Sequence, residues 1–224
     1  DRSMHVLVVA ERVAGLAARE VGESVAAGWR RSAPWDAVSA VALWDAEPGF
    51  LTTLADTVVG ETHVVTTSDP LGRATPARIH LVGSGGGRTA YLDAGDALGG
   101  HLVAPSERDP VVASSAGVGY LMAEAVSLGA RCVVVGVGES LVTDGGVGLL
   151  AGLAGRPEPR HTEAGADLVA DARSRLGTTQ LVLWADDLTP LLGLQGTSAT
   201  WGVERGADAA TAHQLERRMG AWVD

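Results

Sequence analysis

The residues best suited to chemistry lie in a glycine-rich loop between an apolar run and a candidate helix. Residues 136–146 read Gly-Val-Gly-Glu-Ser-Leu-Val-Thr-Asp-Gly-Gly, directly after the apolar run at 132–135 and before a helical pattern at Val147–Ala154. In parallel sheets, ligand sites form beyond the carboxyl ends of the strands. Glycines let the backbone approach a ligand closely, and the N–H groups at a helix start can hold an anion. Asp144 is the carboxylate in this loop that could act as a base or hold a metal-bound phosphate.

A second interpretation of the same loop involves no ligand. It is a plain strand-to-helix turn in which Asp144 or Thr143 caps the following helix. Both interpretations use the same residues, so the local pattern alone favours neither.

Carboxylates recur at the predicted ends of strands and in the adjoining loops. They are Glu11, Asp45, Asp93, Asp144 and Asp186. Taken singly, each also fits a helix cap or a solvated loop acid. Acids that converge beyond a parallel sheet suit a Mg²⁺-bound phosphate and the deprotonation of a hydroxyl group. The six histidines show no metal-ligand spacing, and the sequence has no Walker lysine motif and no dinucleotide fingerprint.

The order of the predicted elements indicates an α/β fold in two parts. Residues 1–60 form a partial doubly wound lobe, and residues 61–224 form a second α/β domain with a mixed sheet. The first part is predicted to contain strands at His5–Ala10 and Ala37–Leu43, a helix that ends before Pro34, and a short helix at Phe50–Val58. The second is predicted to contain strands at Thr62–Thr66, Ala74–Leu81, Thr89–Asp93, Cys132–Val137 and Leu181–Ala185, and helices at Pro110–Leu128, Val147–Ala154, Ala166–Leu176 and Ala209–Val223.

Unbroken apolar runs are typical of parallel strands that are covered on both faces. On this basis His5–Ala10 is predicted to be buried, and Cys132–Val137 and Leu181–Ala185 are predicted to be adjacent inner strands. Asp144 and Asp186, at the ends of the latter two, are then expected to open onto one cleft. The run Gly83–Gly87 is predicted to be a hairpin turn rather than a phosphate loop, because no helix and no Lys-Ser/Thr pair follows it.

The first two strands begin a sheet that they cannot complete, because two strands are not a stable sheet by themselves. Their edges need a cover, and a homodimer or a partner chain that completes the sheet is expected. The alternative is that these strands join the sheet of the second domain in one continuous layer.

Bulk composition excludes several classes of function. The formal net charge is −10, so nucleic acid is not expected as a partner, because phosphate contacts need a basic face. No stretch is long and apolar enough for a membrane span, and no signal-peptide pattern is present, so a cytoplasmic location is expected. The single cysteine, Cys132, lies within an apolar run and is expected to be a small buried hydrophobe.

Six stretches, in order along the whole chain, resemble motifs of the bacterial glycerate kinase family. The strongest is 138–148, which is similar to the family signature Gly-Gly-Ser-Ala-Thr-Asn-Asp-Gly-Gly-Ala-Gly. Residues 115–121 resemble the family's Ser/Thr-Tyr-Gly-Val-Gly-Glu-Leu, and 201–207 resemble Phe-Gly-Pro-Gln-Lys-Gly-Ala. The other similar stretches are 69–72, 90–99 and 185–193.

This resemblance implies ATP-dependent phosphorylation of glycerate or a related hydroxy acid, with Mg²⁺ and ATP as cofactors. It implies catalytic roles for Asp144 and Asp186. Arg205 stands where the family has lysine and would bind a carboxylate, and Gly145 and Gly146 would donate N–H groups. The other implied substrate- or phosphate-binding residues are Ser140, Thr143, Glu11, Asp45 and Asp93.

The sequence also departs from the family pattern. Glu11 replaces the aspartate of the family's first loop, whose lysine is absent, and the second loop keeps Asp45 but loses its glycine pair. Glu139 adds negative charge to the signature loop. The family pattern also continues beyond the point matching Asp224, so a truncated relative with impaired activity is expected. The alternative is a non-catalytic homologue that acts as a protein-binding or regulatory subunit.

Overall fold

The structure is a computed structural model that describes residues 3–44, 49–138, 140–157, 166–185 and 187–223. Its strands are β1 (His5–Ala10), β2 (Ala37–Ala42), β3 (Glu61–Ser68), β4 (Ala74–Val82), β5 (Thr89–Asp93), β6 (Cys132–Val137) and β7 (Gln180–Ala185). Its helices are α1 (Ala18–Ser32), α2 (Phe50–Ala55), α3 (Gly95–Leu98), α4 (Ala116–Ser127), α5 (Val147–Ala154), α6 (Ala166–Leu176), α7 (Trp201–Glu204) and α8 (Ala209–Val223).

Strands β1 and β2 pair in parallel and form a separate two-stranded sheet. Helix α1 packs on one face, where Gly22 lies against Ala10 and Ala40. The residues of both strands alternate between half-buried and exposed, so the prediction that His5–Ala10 is covered on both faces is wrong. Leu7 and Val9 are exposed on the outer face because no described element packs there. The described residues also do not form the alternative arrangement, in which these two strands join the sheet of the second domain in one continuous layer.

A five-stranded mixed sheet forms the centre of the rest of the chain, in the order β3-β4-β5-β6-β7. Strands β3 to β5 are antiparallel, and β5, β6 and β7 are parallel. The turn at Gly83–Gly87 joins the antiparallel pair β4 and β5, which confirms the predicted hairpin. Together the two sheets confirm the predicted α/β class with a mixed sheet.

The main core lies between this sheet and helices α4, α5 and α6. Its fully buried side chains include Ile79, Leu92, Val133, Val135, Leu121, Met122 and Leu153. Helices α4 and α5 cross in close contact, because Gly119 and Gly152 lie where a Cβ atom would overlap the backbone of the other helix. This close crossing brings the first turns of both helices to the same end of the sheet.

The opposite face of the sheet is covered in part by α2. Phe50 is buried there beside Val134, with ring centroids 5.0 Å from Trp44 and 5.8 Å from Trp184. Gly136 of β6 leaves the space that the Phe50 ring occupies, since a Cβ there would lie 2.7 Å from the ring. Phe50 therefore lies between the second sheet and Trp44, which follows β2.

Two further predictions need correction. The helix predicted from Pro110 begins only at Ala116, because the preceding residues form turns and Ser115 bonds to a different part of the chain. Strand β7 is adjacent to β6 as predicted, but it is the edge strand and not an inner one, with all six residues exposed. Among the described helices, none combines the length and the apolar character needed to cross a bilayer.

Candidate functional site

A cleft of about 500 Å³ opens at the carboxyl ends of β6 and β7. The first turns of α4 and α5 form one side, and the segment from Asp187 to α8 forms the other. This is the position at which parallel sheets bind ligands. The predicted site residues that line the cleft are Ser140, Thr143, Asp144, Gly145, Gly146 and Arg205.

The carboxylate of Asp144 is buried and accepts four hydrogen bonds. Oδ2 accepts from the Ser115 N–H at 2.8 Å, the Ser115 hydroxyl at 2.8 Å and the Gly148 N–H at 3.1 Å. Oδ1 accepts from the Gly146 N–H at 2.9 Å. The Ser115 hydroxyl oxygen in turn accepts from the Leu149 N–H at 2.8 Å. One carboxylate and one hydroxyl thus join the start of α4 to the start of α5.

This network uses the N–H groups that would otherwise face a ligand at the start of α5. Gly146, Gly148 and Leu149 all direct their N–H groups to Asp144 or Ser115. Asp144 therefore accepts hydrogen bonds from the start of α5, but the N-cap residue itself is Gly146 and not Asp144 or Thr143. The free lone pair of Asp144 is on Oδ1, which has a single described donor.

The glycine pair beside Asp144 turns the backbone towards α8. Gly145 and Gly146 have φ angles of 68° and 80°, in the left-handed region that favours glycine. The Gly145 carbonyl accepts a hydrogen bond from the Trp222 indole at 3.1 Å. A Cβ on Gly145 would lie 2.7 Å from the sulfur of Met219 and 3.0 Å from the Trp222 ring, so a larger residue would displace these side chains of α8.

Thr143 is buried to 7% exposure, and its hydroxyl has no hydrogen-bond partner within the described part of the chain. A buried polar group without a partner is costly, so such a group in a cleft wall marks a place where a ligand can bind. The neighbouring Ser140 hydroxyl is already used, because it accepts from the Val142 N–H at 3.0 Å.

The other side of the cleft holds Arg205, Trp201 and Asp187. The Arg205 guanidinium lies 5.5 Å from the Trp201 ring centre and donates to the Val142 carbonyl at 3.3 Å. Asp187 accepts from the Thr189 hydroxyl at 2.6 Å and the Thr189 N–H at 2.8 Å. These hydrogen bonds, with smaller contributions from Trp201 and the charge of Arg205, lower the pKa of Asp187. Asp187 is therefore ionised at neutral pH.

Two of the remaining predicted residues lie away from the cleft lining. Glu11 is exposed beyond β1. Asp93 is buried at the end of β5, where it accepts from the Gly49 N–H at 3.0 Å and the Gly95 N–H at 2.9 Å. Burial raises the pKa of Asp93, although these two hydrogen bonds oppose the rise. Asp45 and Asp186 lie outside the described residues, so the cleft predicted for Asp144 and Asp186 stays a prediction.

The sequence reasoning assigned no site role to three residues of the cleft. They are Ser115, which holds Asp144, and Asp187 and Trp201, which flank Arg205. Ser115 could have been noticed, because it is the first residue of the family-like stretch 115–121. Among the described residues, no cluster of three or more His, Cys, Asp and Glu side chains could hold a metal ion.

Comparison with known proteins gives a consistent result. A model of the glycerate kinase family matches residues 7–224. The chain is 35% identical to an uncharacterized protein of Mycobacterium bovis over 99% of this chain and 55% of that protein. It is 29% identical to the glycerate kinase of Bacillus subtilis over 93% of this chain and 57% of that enzyme.

A solved structure assigned to glycerate kinase 2 of Salmonella typhimurium LT2 matches with a TM-score of 0.79 and 24% identity. The match covers 99% of this chain and 62% of that chain, and it shows the shared fold. The sequence spans about half the length of the curated relatives that it matches.

Proposed function

The chain belongs to the glycerate kinase family, and from this premise we propose that it takes part in the ATP-dependent phosphorylation of glycerate or a related hydroxy acid. The observation that carries the proposal is the cleft in which the loop Thr143–Gly146 faces Arg205. A guanidinium group is well suited to a carboxylate, because its N–H groups match the two oxygens. In the proposed role, Arg205 binds the carboxylate of the hydroxy acid.

The residues of the cleft fit a magnesium nucleotide. Mg²⁺ in nucleotide sites is commonly bound by one or two protein carboxylates together with the phosphates, and it neutralises their charge. Asp187 and the free side of Asp144 are the described carboxylates that could supply these ligands. Asp187 is the better candidate, since its lowered pKa keeps it charged.

Asp144 has a positioning role in this proposal. Its four hydrogen bonds hold the first turns of α4 and α5 together and so fix the shape of the loop that faces the reactants. Because Oδ2 already accepts three hydrogen bonds, Oδ1 is the oxygen of Asp144 with room for a further contact.

The 224-residue chain is expected to have little kinase activity by itself. Phosphoryl transfer depends on cations and N–H donors that neutralise charge in the transition state. The described N–H groups at Gly146, Gly148 and Leu149 are occupied by the protein's own acceptors. Turnover with glycerate on the order of 1–100 per second, as in ordinary kinases, would contradict this expectation.

A non-catalytic role as a protein-binding or regulatory subunit is the second candidate. The observation that favours it is the outer face of the first sheet, where Leu7 is 61% and Val9 is 50% exposed. An apolar sheet face with unpaired edges favours association with another chain. A homodimer or a partner that completes this sheet would cover it.

Calorimetric titration separates the two candidates. D-glycerate, with and without Mg-ATP, is titrated into the unaltered chain, Arg205→Gln and Arg218→Gln. Arg218 is a matched control, because it also donates to a backbone carbonyl, that of Val111 at 3.0 Å, but lies outside the cleft lining. We expect Arg205→Gln to weaken glycerate binding by about tenfold or more, and Arg218→Gln to leave it unchanged.

Coupled ADP release is measured on the same samples. If Arg205→Gln and Arg218→Gln weaken the binding of glycerate equally, the proposed role of Arg205 is refuted. No binding of glycerate or nucleotide to the unaltered chain would favour the non-catalytic candidate.

A further inference from the structure

The guanidinium group of Arg205 lies beside apolar residues of the cleft. It donates to the Val142 carbonyl at 3.3 Å, and its central carbon lies 5.5 Å from the centre of the Trp201 ring. Val142, Trp201 and Leu191 all line the cleft together with Arg205. A carboxylate that binds to Arg205 therefore places the rest of its molecule close to apolar surface.

The polar side chains around Arg205 are hydrogen-bonded within the protein. The Ser140 hydroxyl accepts from the Val142 N–H at 3.0 Å. The Thr189 hydroxyl donates to Asp187 at 2.6 Å and accepts from the Trp201 indole at 3.2 Å. Each of these groups already has a partner, so a second hydroxyl group on a bound acid would have to compete for one of them.

Two kinds of hydroxy acid would behave differently in these surroundings. Every carbon of glycerate carries an oxygen, so burying its second hydroxyl group against Val142 or Leu191 would cost free energy. A hydroxy acid with a hydrocarbon side chain keeps the carboxylate for Arg205 and removes apolar surface from water, which is favourable. The surroundings of Arg205 thus suit the second kind of acid better than the first.

The signature loop differs from the glycerate kinase pattern in the same direction. Val142 stands where the signature has threonine, and Leu141 stands where it has alanine. Valine and threonine have nearly the same shape, so the first difference exchanges a hydroxyl group for a methyl group. Because Val142 lines the cleft, this exchange makes the wall beside Arg205 more apolar.

We infer that the cleft selects a 2-hydroxy acid with a short hydrocarbon side chain in preference to glycerate. This inference rests on the proposed function, because that function supplies the hydroxy acid and its contact with Arg205. The carboxylate binds to Arg205, and the hydrocarbon side chain lies against Val142 and Leu191.

D-2-hydroxyisocaproate is the probe, and D-glycerate, which has the same configuration at its hydroxyl-bearing carbon, is the reference. Both acids are titrated by calorimetry into the unaltered chain. We expect the apolar acid to bind about tenfold or more tightly than glycerate, because each hydrocarbon group that leaves water for the cleft strengthens binding severalfold. Arg205→Gln should weaken both acids by a similar factor, since both carry the carboxylate.

Leu191 and Leu192 offer a matched pair of variants. Their exposed fractions are similar, at 41% and 37%, but Leu191 lines the cleft and Leu192 does not. Leu191→Asn should reduce the preference for the apolar acid by about fivefold or more, and Leu192→Asn should leave it within about twofold. Val142→Thr restores the signature residue and should reduce the preference by about threefold or more. Thermal melts check that each variant is folded.

Mg-ATP is titrated in parallel, so that the inference and the proposed function can fail separately. Glycerate binding that is as tight as that of the apolar acid, or tighter, would overturn the inference and leave the proposed function in place. No binding of either acid, or equal effects of Leu191→Asn and Leu192→Asn on the preference, would also overturn the inference. The expected order of affinities without binding of Mg-ATP would support the inference and contradict the proposed phosphorylation.

Discussion

Replacement of Asp144 by asparagine tests the most connected side chain of the cleft. Asparagine has nearly the same shape as aspartate, but one of its oxygens becomes an NH₂ group that can only donate. If the remaining oxygen faces Ser115 and Gly148, the NH₂ group faces the Gly146 N–H, and a donor opposes a donor. The variant therefore loses one hydrogen bond outright and weakens the other three.

The size of the effect follows from these four contacts. A buried donor without an acceptor costs about 1–3 kcal/mol, and the Gly146 N–H is partly buried. Loss of the negative charge weakens each remaining hydrogen bond by roughly 0.5 kcal/mol or more. Together these give a loss of about 2.5–4.5 kcal/mol in the free energy of unfolding. A domain of this size is typically stable by about 5–15 kcal/mol, so the variant should still fold.

Asp208→Asn is the matched control. Asp208 also caps a helix, since it accepts from the Thr211 N–H at 2.8 Å at the start of α8, but it is exposed. Asparagine is as good a cap as aspartate at such a position, so a change of about 0.5 kcal/mol or less is expected. Urea unfolding followed by far-ultraviolet circular dichroism measures both variants. A loss below about 1 kcal/mol in Asp144→Asn would refute the argument that the carboxylate holds α4 to α5.

Two further predictions concern Asp93 and the first sheet. Burial raises the pKa of Asp93 above 3.8, so its protonated form favours the folded state and this contribution is lost as the pH rises through the raised pKa. The stability of the unaltered chain relative to Asp93→Asn should therefore fall between about pH 4 and neutral pH in urea unfolding, and a rise with pH would contradict the assignment. The second prediction is that the chain self-associates through the exposed face of β1 and β2, where Leu7 and Val9 lie. Light scattering at low micromolar concentration should give the mass of a dimer, which Leu7→Asp lowers to that of a monomer; a monomeric mass for the unaltered chain would exclude the association.

The amino-acid sequence by itself determined most of the segments that form strands and helices, although it did not indicate the short helices α3 and α7. Apolar runs such as Cys132–Val137 and the alternation in Ala74–Val82 are local properties, and local backbone preference and side-chain periodicity decide them. The glycine-rich turn between β4 and β5 follows from the same local chemistry. The fold class and the position of the loop Thr143–Gly146 beyond a parallel strand were therefore predictable.

Only the tertiary structure decided which of these segments are covered and which residues meet. The runs in β6 and β7 look alike in sequence, but β6 has a neighbour on each side and β7 has one, so their burial differs. Asp144 is tied to Ser115, 29 residues away, because α4 and α5 cross closely at their glycines. Whether a loop carboxylate faces a ligand or its own protein depends on which donors the packing of distant elements brings to it, and no local pattern records that.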